Sequence, residues 1–122
     1  MKKLRILLLL IVLMPFSCEV NKSYRVTYLV TDCSSGFDIW YRNENTDLIH
    51  KRIIPASEED EWKYNFVVEE GDIVFISAIY DDINSSLKAK ILIDNKVYKE
   101  AFSKHDTANF VIVSGTVPYH DE

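Results

Sequence analysis

Alternation of apolar and polar residues at every second position is the feature that most restricts the fold of this chain. In SYRVTYLVTD, the residues Tyr24, Val26, Tyr28 and Val30 share one face of an extended segment, and mostly polar residues take the other. A period of two places successive side chains on opposite sides of a β-strand. The chain after residue 23 repeats this pattern, which predicts strands that are half buried.

About eight segments carry the pattern, with turn-forming residues between them. They span about 23–32, 37–43, 48–54, 60–68, 73–80, 87–94, 96–103 and 107–117. The acidic run at 58–61 resembles a helix start, but the aromatic residues that alternate from Trp62 onward favour a strand. The pair Asp94 and Asn95 predicts a two-residue hairpin turn, because Asn tolerates a positive φ.

Short strands at intervals of about 8–12 residues are typical of a sandwich. We therefore predict an all-β fold: a single immunoglobulin-like or transthyretin-like antiparallel β-sandwich of about 7–8 strands, which follows an N-terminal signal segment. A closed barrel is the alternative. The segment IVFISAIY at 73–80 is apolar on both faces. It is therefore predicted to be the most buried segment, a central strand that is covered on each side.

The N-terminal segment has the pattern of an export signal. Three basic residues precede an unbroken apolar run at 6–14. Its length suits a signal-peptide core of roughly 7–15 residues and falls short of the about 20 that span a bilayer. Pro15 and Phe16 interrupt the small-residue pattern of ordinary cleavage sites. Ser17 and Cys18 then resemble a bacterial lipobox, which predicts acylation of the Cys18 thiol. The alternatives are an uncleaved short anchor or a buried structural cysteine.

The predicted division of the chain is a lipoprotein signal peptide at 1–17, a lipidated cysteine and tether at 18–23, the sandwich domain at 24–118 and a tail at 119–122. Removal of the leader leaves 105 residues (122 − 17), the size of one small domain. It also leaves 11 basic and 19 acidic residues, a net charge of −8 (11 − 19). This charge repels phosphate backbones, so we expect no nucleic-acid partner.

Seven segments in order resemble a known family: VTYLVTD, CSSG, DIWYRN, IIP, EEGDIVFISA, KILIDNKVYKE and ANFVIVSGTV. The chain is similar, over about 24–117, to the small secreted β-sandwich proteins of the MmpS type, which recur as short bacterial lipoproteins. It departs from the usual pattern at Ala56, where an aromatic is common, and at Asn95, where a glycine is common. The resemblance implies a location outside the inner membrane and, in the MmpS branch, an accessory role beside a lipid or siderophore exporter. It transfers no functional residue.

No catalytic, cofactor or metal site is predicted. Metal-ligand spacing is missing for all three histidines, His50, His105 and His120. The serines lack the G-x-S-x-G pattern of a nucleophile elbow. A calcium loop that starts at Asp82 would need glycine and glutamate where Leu87 and Ile93 stand. We therefore expect no cofactor and no enzyme activity, and we expect Cys33 to be a small buried group without a disulfide partner.

Two side chains remain as candidate sites beside Cys18. Most aromatic residues are expected in the core, and Trp40 is the one most expected on the surface, which makes it the candidate ligand contact. Thr107, in the sequence Asp-Thr-Ala, resembles a bacterial O-glycosylation signal.

The main hypothesis is a lipid-anchored cell-envelope protein that acts as a non-enzymatic interaction or accessory module. We expect it to be exported, held in the outer membrane through its lipid, monomeric and in contact with another envelope protein. The alternative is a lipoprotein that binds a small ligand, such as a glycan, peptide or lipid, through exposed aromatic residues including Trp40.

Overall fold

A computed structural model of the protein describes residues 22–104 and 108–119. These ranges contain eight strands, namely β1 (Ser23–Thr31), β2 (Phe37–Arg42), β3 (Leu48–Ile53), β4 (Trp62–Glu69), β5 (Ile73–Tyr80), β6 (Ser86–Ile93), β7 (Lys96–Lys104) and β8 (Phe110–Thr116). Sheet 1 has the strand order β4-β1-β6-β7, and sheet 2 has the order β3-β2-β5-β8. Neighbouring strands are antiparallel in both sheets. The predicted all-β antiparallel sandwich is confirmed.

The core lies between the two sheets and is rich in aromatic rings. Tyr28 of sheet 1 lies 5.8 Å from Tyr41 of sheet 2, measured between ring centroids, and 5.0 Å from Phe66. The Tyr28 hydroxyl donates to the Arg42 carbonyl at 2.7 Å and accepts from the Phe75 amide at 3.1 Å. Alternation of apolar residues in β1 thus produces the predicted inward face, and one tyrosine ties it to the opposite sheet.

The acidic run before β4 forms a turn and is not part of the strand. The Ala56 amide donates to a carboxylate oxygen of Asp60 at 2.6 Å, and the Asp60 amide donates to the Ser57 carbonyl at 3.1 Å. These local bonds satisfy the backbone within the turn. Therefore β4 begins at Trp62 and not at residue 60.

Strand β5 is internal in sheet 2 but is covered on one face only. Its residues Val74, Ile76 and Ala78 are fully buried, whereas Ile73 is 52% exposed and Ile79 is 43% exposed. The prediction that this strand is covered on both faces is wrong. The physical reason is that a two-layer sandwich covers only the inner face of each sheet.

Two other predictions on local structure are confirmed. Asp94 and Asn95 both have positive φ, 51° and 66°, and form the two-residue turn between β6 and β7. Cys33 is a buried free cysteine at the start of the β1–β2 connection. Strand β8 begins at Phe110; residue 107, the predicted start, lies outside the described residues.

The sandwich has two distinct ends. At the end that we call the N-terminal end, the Lys22 carbonyl accepts from the Glu70 amide at 3.2 Å, and the Gly71 amide donates to the Val117 carbonyl at 3.0 Å. The β2–β3 turn at 43–47 lies at the same end. The β1–β2, β3–β4 and β5–β6 connections and the end of β7 lie at the opposite end, which we call the distal end.

Candidate functional site

The outer faces of the two sheets differ in character. On sheet 1, charged residues separate the exposed apolar ones: Lys90 pairs with Glu100 at 4.0 Å, and Phe102 stands opposite Lys88. On sheet 2, the exposed apolar residues include Leu48, Ile73, Ile79, Phe110 and Ile112, and the exposed polar side chains of His50 and Arg52 lie on the edge strand β3. Ile79 stands directly opposite Phe110, so these side chains adjoin across β5 and β8. An apolar surface of this kind is a common mark of an interaction site.

A cavity of about 340 Å³ opens on this outer face at the N-terminal end. It is lined by Arg42, Thr46, Leu48, Ile73 and Phe75. Leu48 pairs with Arg42, and the register of β2 and β5 brings Phe75 beside Arg42 on the same face. Leu48 is 64% exposed and Ile73 is 52% exposed. The cavity is therefore an apolar space with one guanidinium at its rim.

The β2–β3 turn holds Thr46 at the cavity in an uncommon backbone conformation. Its φ is 64°, in the left-handed region, where a β-branched residue is rarely found. The Asn43 side chain accepts from the Asn45 and Asp47 amides at 2.9 Å each. These bonds hold the turn and so place Thr46 against the cavity.

The two arginines of sheet 2 differ in their ion pairing. Arg52 bonds to Asp38 at 2.9 Å and also to Asp81, and its bonds to Asp81 hold the pKa of that carboxyl below its ordinary value of 3.8. No carboxylate of the described residues lies within ion-pairing distance of Arg42. Arg42 is thus a cation whose charge is open to an external anion.

Trp40 lies on the outer face of sheet 2, where its neighbours leave it half-buried. Its ring stacks on His50 with centroids 4.6 Å apart and planes 14° apart, and His50 Nε2 lies 3.0 Å from Asp38 Oδ1. Phe102 and Phe110 are 54% and 50% exposed. Trp40 is therefore not the most exposed aromatic, and His50 covers one face of its ring.

A second cavity, a polar cleft of about 370 Å³, lies at the distal end. Its lining includes Asp32, Glu58, Asn84, Ser85, Phe102 and Lys104. Ser85 is buried, and its hydroxyl accepts from the Ser34 amide at 3.1 Å. Separate connections supply these groups, so only the folded chain brings them together.

Cys33 lies beside Ser85 of this cleft and is 2% exposed. Its thiol lies 3.3 Å from the Ser35 carbonyl oxygen, to which it donates, and 3.8 Å from the Ser85 hydroxyl. This is the environment of a structural cysteine, as the sequence predicts.

The remaining predicted sites fall elsewhere. Cys18 and Thr107 lie outside the described residues, as do His105 and His120. Over residues 22–104 and 108–119, no three His, Cys, Asp or Glu side chains are placed to hold one metal ion. In the same ranges, no helix is long and apolar enough to cross a membrane.

Sequence reasoning missed the cavity residues Arg42, Ile73 and Phe75 and the cleft residue Phe102. A signal for two of them was present, because apolar residues occupy both faces of IVFISAIY. That pattern predicts burial on both sides. It marks instead one buried face and one exposed apolar face.

No protein-family model matches the chain, and a search of curated proteins finds no significant match. The assignment of function therefore rests on the sequence pattern and on the geometry described above.

Proposed function

We propose that this protein is a lipid-anchored component of the bacterial cell envelope that acts as a non-enzymatic interaction module. The leader and the lipobox-like Ser17-Cys18 support the anchor, and the MmpS-like order of segments supports a place outside the inner membrane. We assign it to the outer membrane as a monomer that binds another envelope protein.

The position of the distal cleft is the observation that carries this proposal. Cys18 precedes Lys22 by four residues, and Lys22 lies at the N-terminal end. An anchor at Cys18 therefore leaves the distal end directed away from the bilayer. The cleft at that end is polar and built by several connections, which is a common arrangement for binding loops on a sandwich.

The charge of the distal end indicates the chemistry of the partner. The run Glu58–Glu61 is exposed, and Asp82 lies at the same end, where the neighbouring Asp81 is already paired with Arg52. Complementary charge steers association and selects partners. We propose that the partner presents a basic patch to this acidic end.

A photo-crosslinking residue in place of Asn84 tests the surface. In intact cells, we expect one discrete crosslinked product, and we expect neutralisation by Glu58→Gln and Glu59→Gln to reduce it at least fivefold. The control variant with Asp47→Asn and Glu100→Gln removes the same charge elsewhere and should retain the product. An equal yield from a crosslinker at Val67, on the outer face of sheet 1, would contradict the proposal.

The anchor has its own test. Cys18→Ala should move the protein from the membrane fraction to the aqueous one and abolish incorporation of a labelled lipid precursor. Unchanged fractionation together with an unlabelled native chain would exclude lipidation.

A second candidate function is binding of a glycan in the distal cleft, whose volume of about 370 Å³ falls in the range of small-ligand sites. Phe102 offers a ring for the apolar face of a sugar, and Glu58 and Asn84 offer acceptors for its hydroxyls. A glycan that raises the melting temperature should lose this effect in Phe102→Ala and keep it in Trp40→Ala. Dependence on Trp40 alone would place the ligand on sheet 2 instead.

A further inference from the structure

We infer that the cavity at the N-terminal end of sheet 2 docks the domain on the membrane. In this arrangement the acyl chain of a bilayer phospholipid lies against Leu48, Ile73 and Phe75, and its phosphate pairs with Arg42. The inference rests on the proposed envelope anchor and adds to it a defined orientation of the domain.

The path of the chain brings the cavity close to the bilayer. The Glu70 amide donates to the Lys22 carbonyl at 3.2 Å, and Ile73 follows three residues later in the chain. A chain of four residues reaches at most about 14 Å when fully extended, which limits the distance from Cys18 to Lys22. An uncleaved anchor at 6–14 would also enter the domain through Lys22. Either form of the anchor therefore holds this end near the membrane.

The apolar side chains of the cavity are exposed in the isolated domain. Leu48 is 64% exposed and Ile73 is 52% exposed, and both line the space of about 340 Å³. Contact of such groups with water is unfavourable, and insertion among acyl chains removes it. The anchor holds this end of the domain beside the bilayer, whose acyl chains are such an apolar medium.

The charge at the rim fits a phospholipid headgroup. Among the described residues, no carboxylate pairs with Arg42. A guanidinium binds phosphate oxygens through two parallel hydrogen bonds. The protein as a whole is acidic, so docking depends on one local phosphate contact and apolar insertion, not on a general attraction to anionic lipid. Phosphatidylcholine vesicles should therefore suffice.

The outer face of sheet 2 limits how far the contact extends. Ile112 continues the apolar surface from the cavity toward the middle of the sheet. Further toward the distal end, Arg52 bonds to Asp38 and Asp81. These polar groups would be costly to bury in lipid. We therefore expect the N-terminal half of this face to contact the bilayer and the distal cleft to stay outside the membrane contact.

A fluorescent probe on the full-length protein tests the orientation. The protein is reconstituted through its own anchor into phosphatidylcholine vesicles that carry nitroxide on their acyl chains. Nitrobenzoxadiazole is attached to Ile73→Cys or to the control Val97→Cys. The two sites match closely, because Ile73 is 52% and Val97 is 53% exposed. Both lie at the N-terminal end, but on the outer faces of opposite sheets. The buried thiol of Cys33 stays unlabelled.

We expect a blue-shifted emission at position 73 and at least threefold stronger quenching there than at position 97. Arg42→Gln should reduce the quenching at position 73 at least twofold, whereas Arg52→Gln, which alters a cation already paired within the protein, should not. Equal quenching at both sites, or a probe at position 73 that remains in water, overturns the inference. A probe that is shielded from water without nitroxide quenching also overturns it, because a protein then covers the cavity.

Intact mass of the same preparation separates the two proposals. If Cys18 carries lipid and the probe at position 73 stays in water, the docking inference fails and the anchor stands. If the mass shows no lipid and the protein does not float with the vesicles, the anchor proposal fails and the docking inference fails with it.

Discussion

Tyr28 is the residue that most directly connects the two sheets. Its ring is fully buried, and its hydroxyl bonds to the Arg42 carbonyl and the Phe75 amide of the opposite sheet. Burial raises the pKa of Tyr28 to about 12, although the hydrogen bond from the Phe75 amide acts in the opposite direction. The same residue thus contributes to packing, to hydrogen bonding and to the response to pH.

Tyr28→Phe should lower the free energy of unfolding by about 1–3 kcal/mol, because it leaves an amide and a carbonyl without a partner between the sheets. Tyr41→Phe is the matched control, since Tyr41 is also buried in the core and its hydroxyl makes no such bridge. The control breaks no hydrogen bond of this kind, so it should cost less stability than Tyr28→Phe. Urea unfolding measures both, and equal losses would contradict the role of the hydroxyl.

The raised pKa of Tyr28 predicts a loss of stability in alkali. The folded state favours the neutral phenol, so the unfolded chain, with the ordinary value of 10.0, releases its proton first. The contribution is present in full below pH 10.0 and is lost as the pH rises through about 12. We therefore expect the free energy of unfolding, measured with urea between pH 8 and pH 12, to fall less with rising pH in Tyr28→Phe than in the unsubstituted protein. An equal decrease of this free energy in both proteins would show that Tyr28 does not cause the loss of stability in alkali.

At the scale of the element, β5 shows how one strand can carry two functions. Its inward residues Val74, Ile76 and Ala78 build the core, and its outward residues Ile73 and Phe75 line the cavity. The pleat separates these roles at every second position. An apolar residue on the outward face is consequently free to serve binding without loss of packing.

Ile76→Ala and Ile79→Ala should separate the two faces. Ile76 is fully buried, so its truncation should cost about 2–5 kcal/mol, as for other aliphatic residues in protein cores. Ile79 is 43% exposed, and its truncation should cost less than about 1 kcal/mol. Thermal or urea unfolding provides the measurement. Similar large losses would indicate that something covers the outward face.

At the scale of the whole molecule, the reactivity of the two thiols tests both the burial of Cys33 in the fold and the acylation of Cys18. Cys33 is 2% exposed, so a thiol reagent should reach it only after global unfolding. If Cys18 is acylated, the full-length protein should show no reactive thiol when folded and one in denaturant. Cys33→Ser should show none in either state. A rapid reaction in the folded protein that persists in Cys33→Ser would identify a free Cys18 and contradict the anchor.

The distribution of surfaces over the molecule is consistent with the proposed function. The apolar cavity lies at the N-terminal end, and the acidic connections and the polar cleft lie at the distal end. Membrane contact and partner contact would therefore use separate surfaces. A small sandwich can serve both because its strands run from one end to the other and its connections lie at the two ends.

The sequence by itself determined the number and order of the strands, the inward face of β1, the Asp94-Asn95 turn and the unpaired state of Cys33. These features depend on alternation and turn chemistry over a few neighbouring residues, which a single chain shows directly. Only the tertiary structure decided that β5 is exposed on one face, that Arg42 has no ion-pair partner among residues 22–104 and 108–119, and that the cleft unites several connections. These features depend on which distant strands become neighbours, and local pattern does not encode the pairing of β5 with β2 and β8.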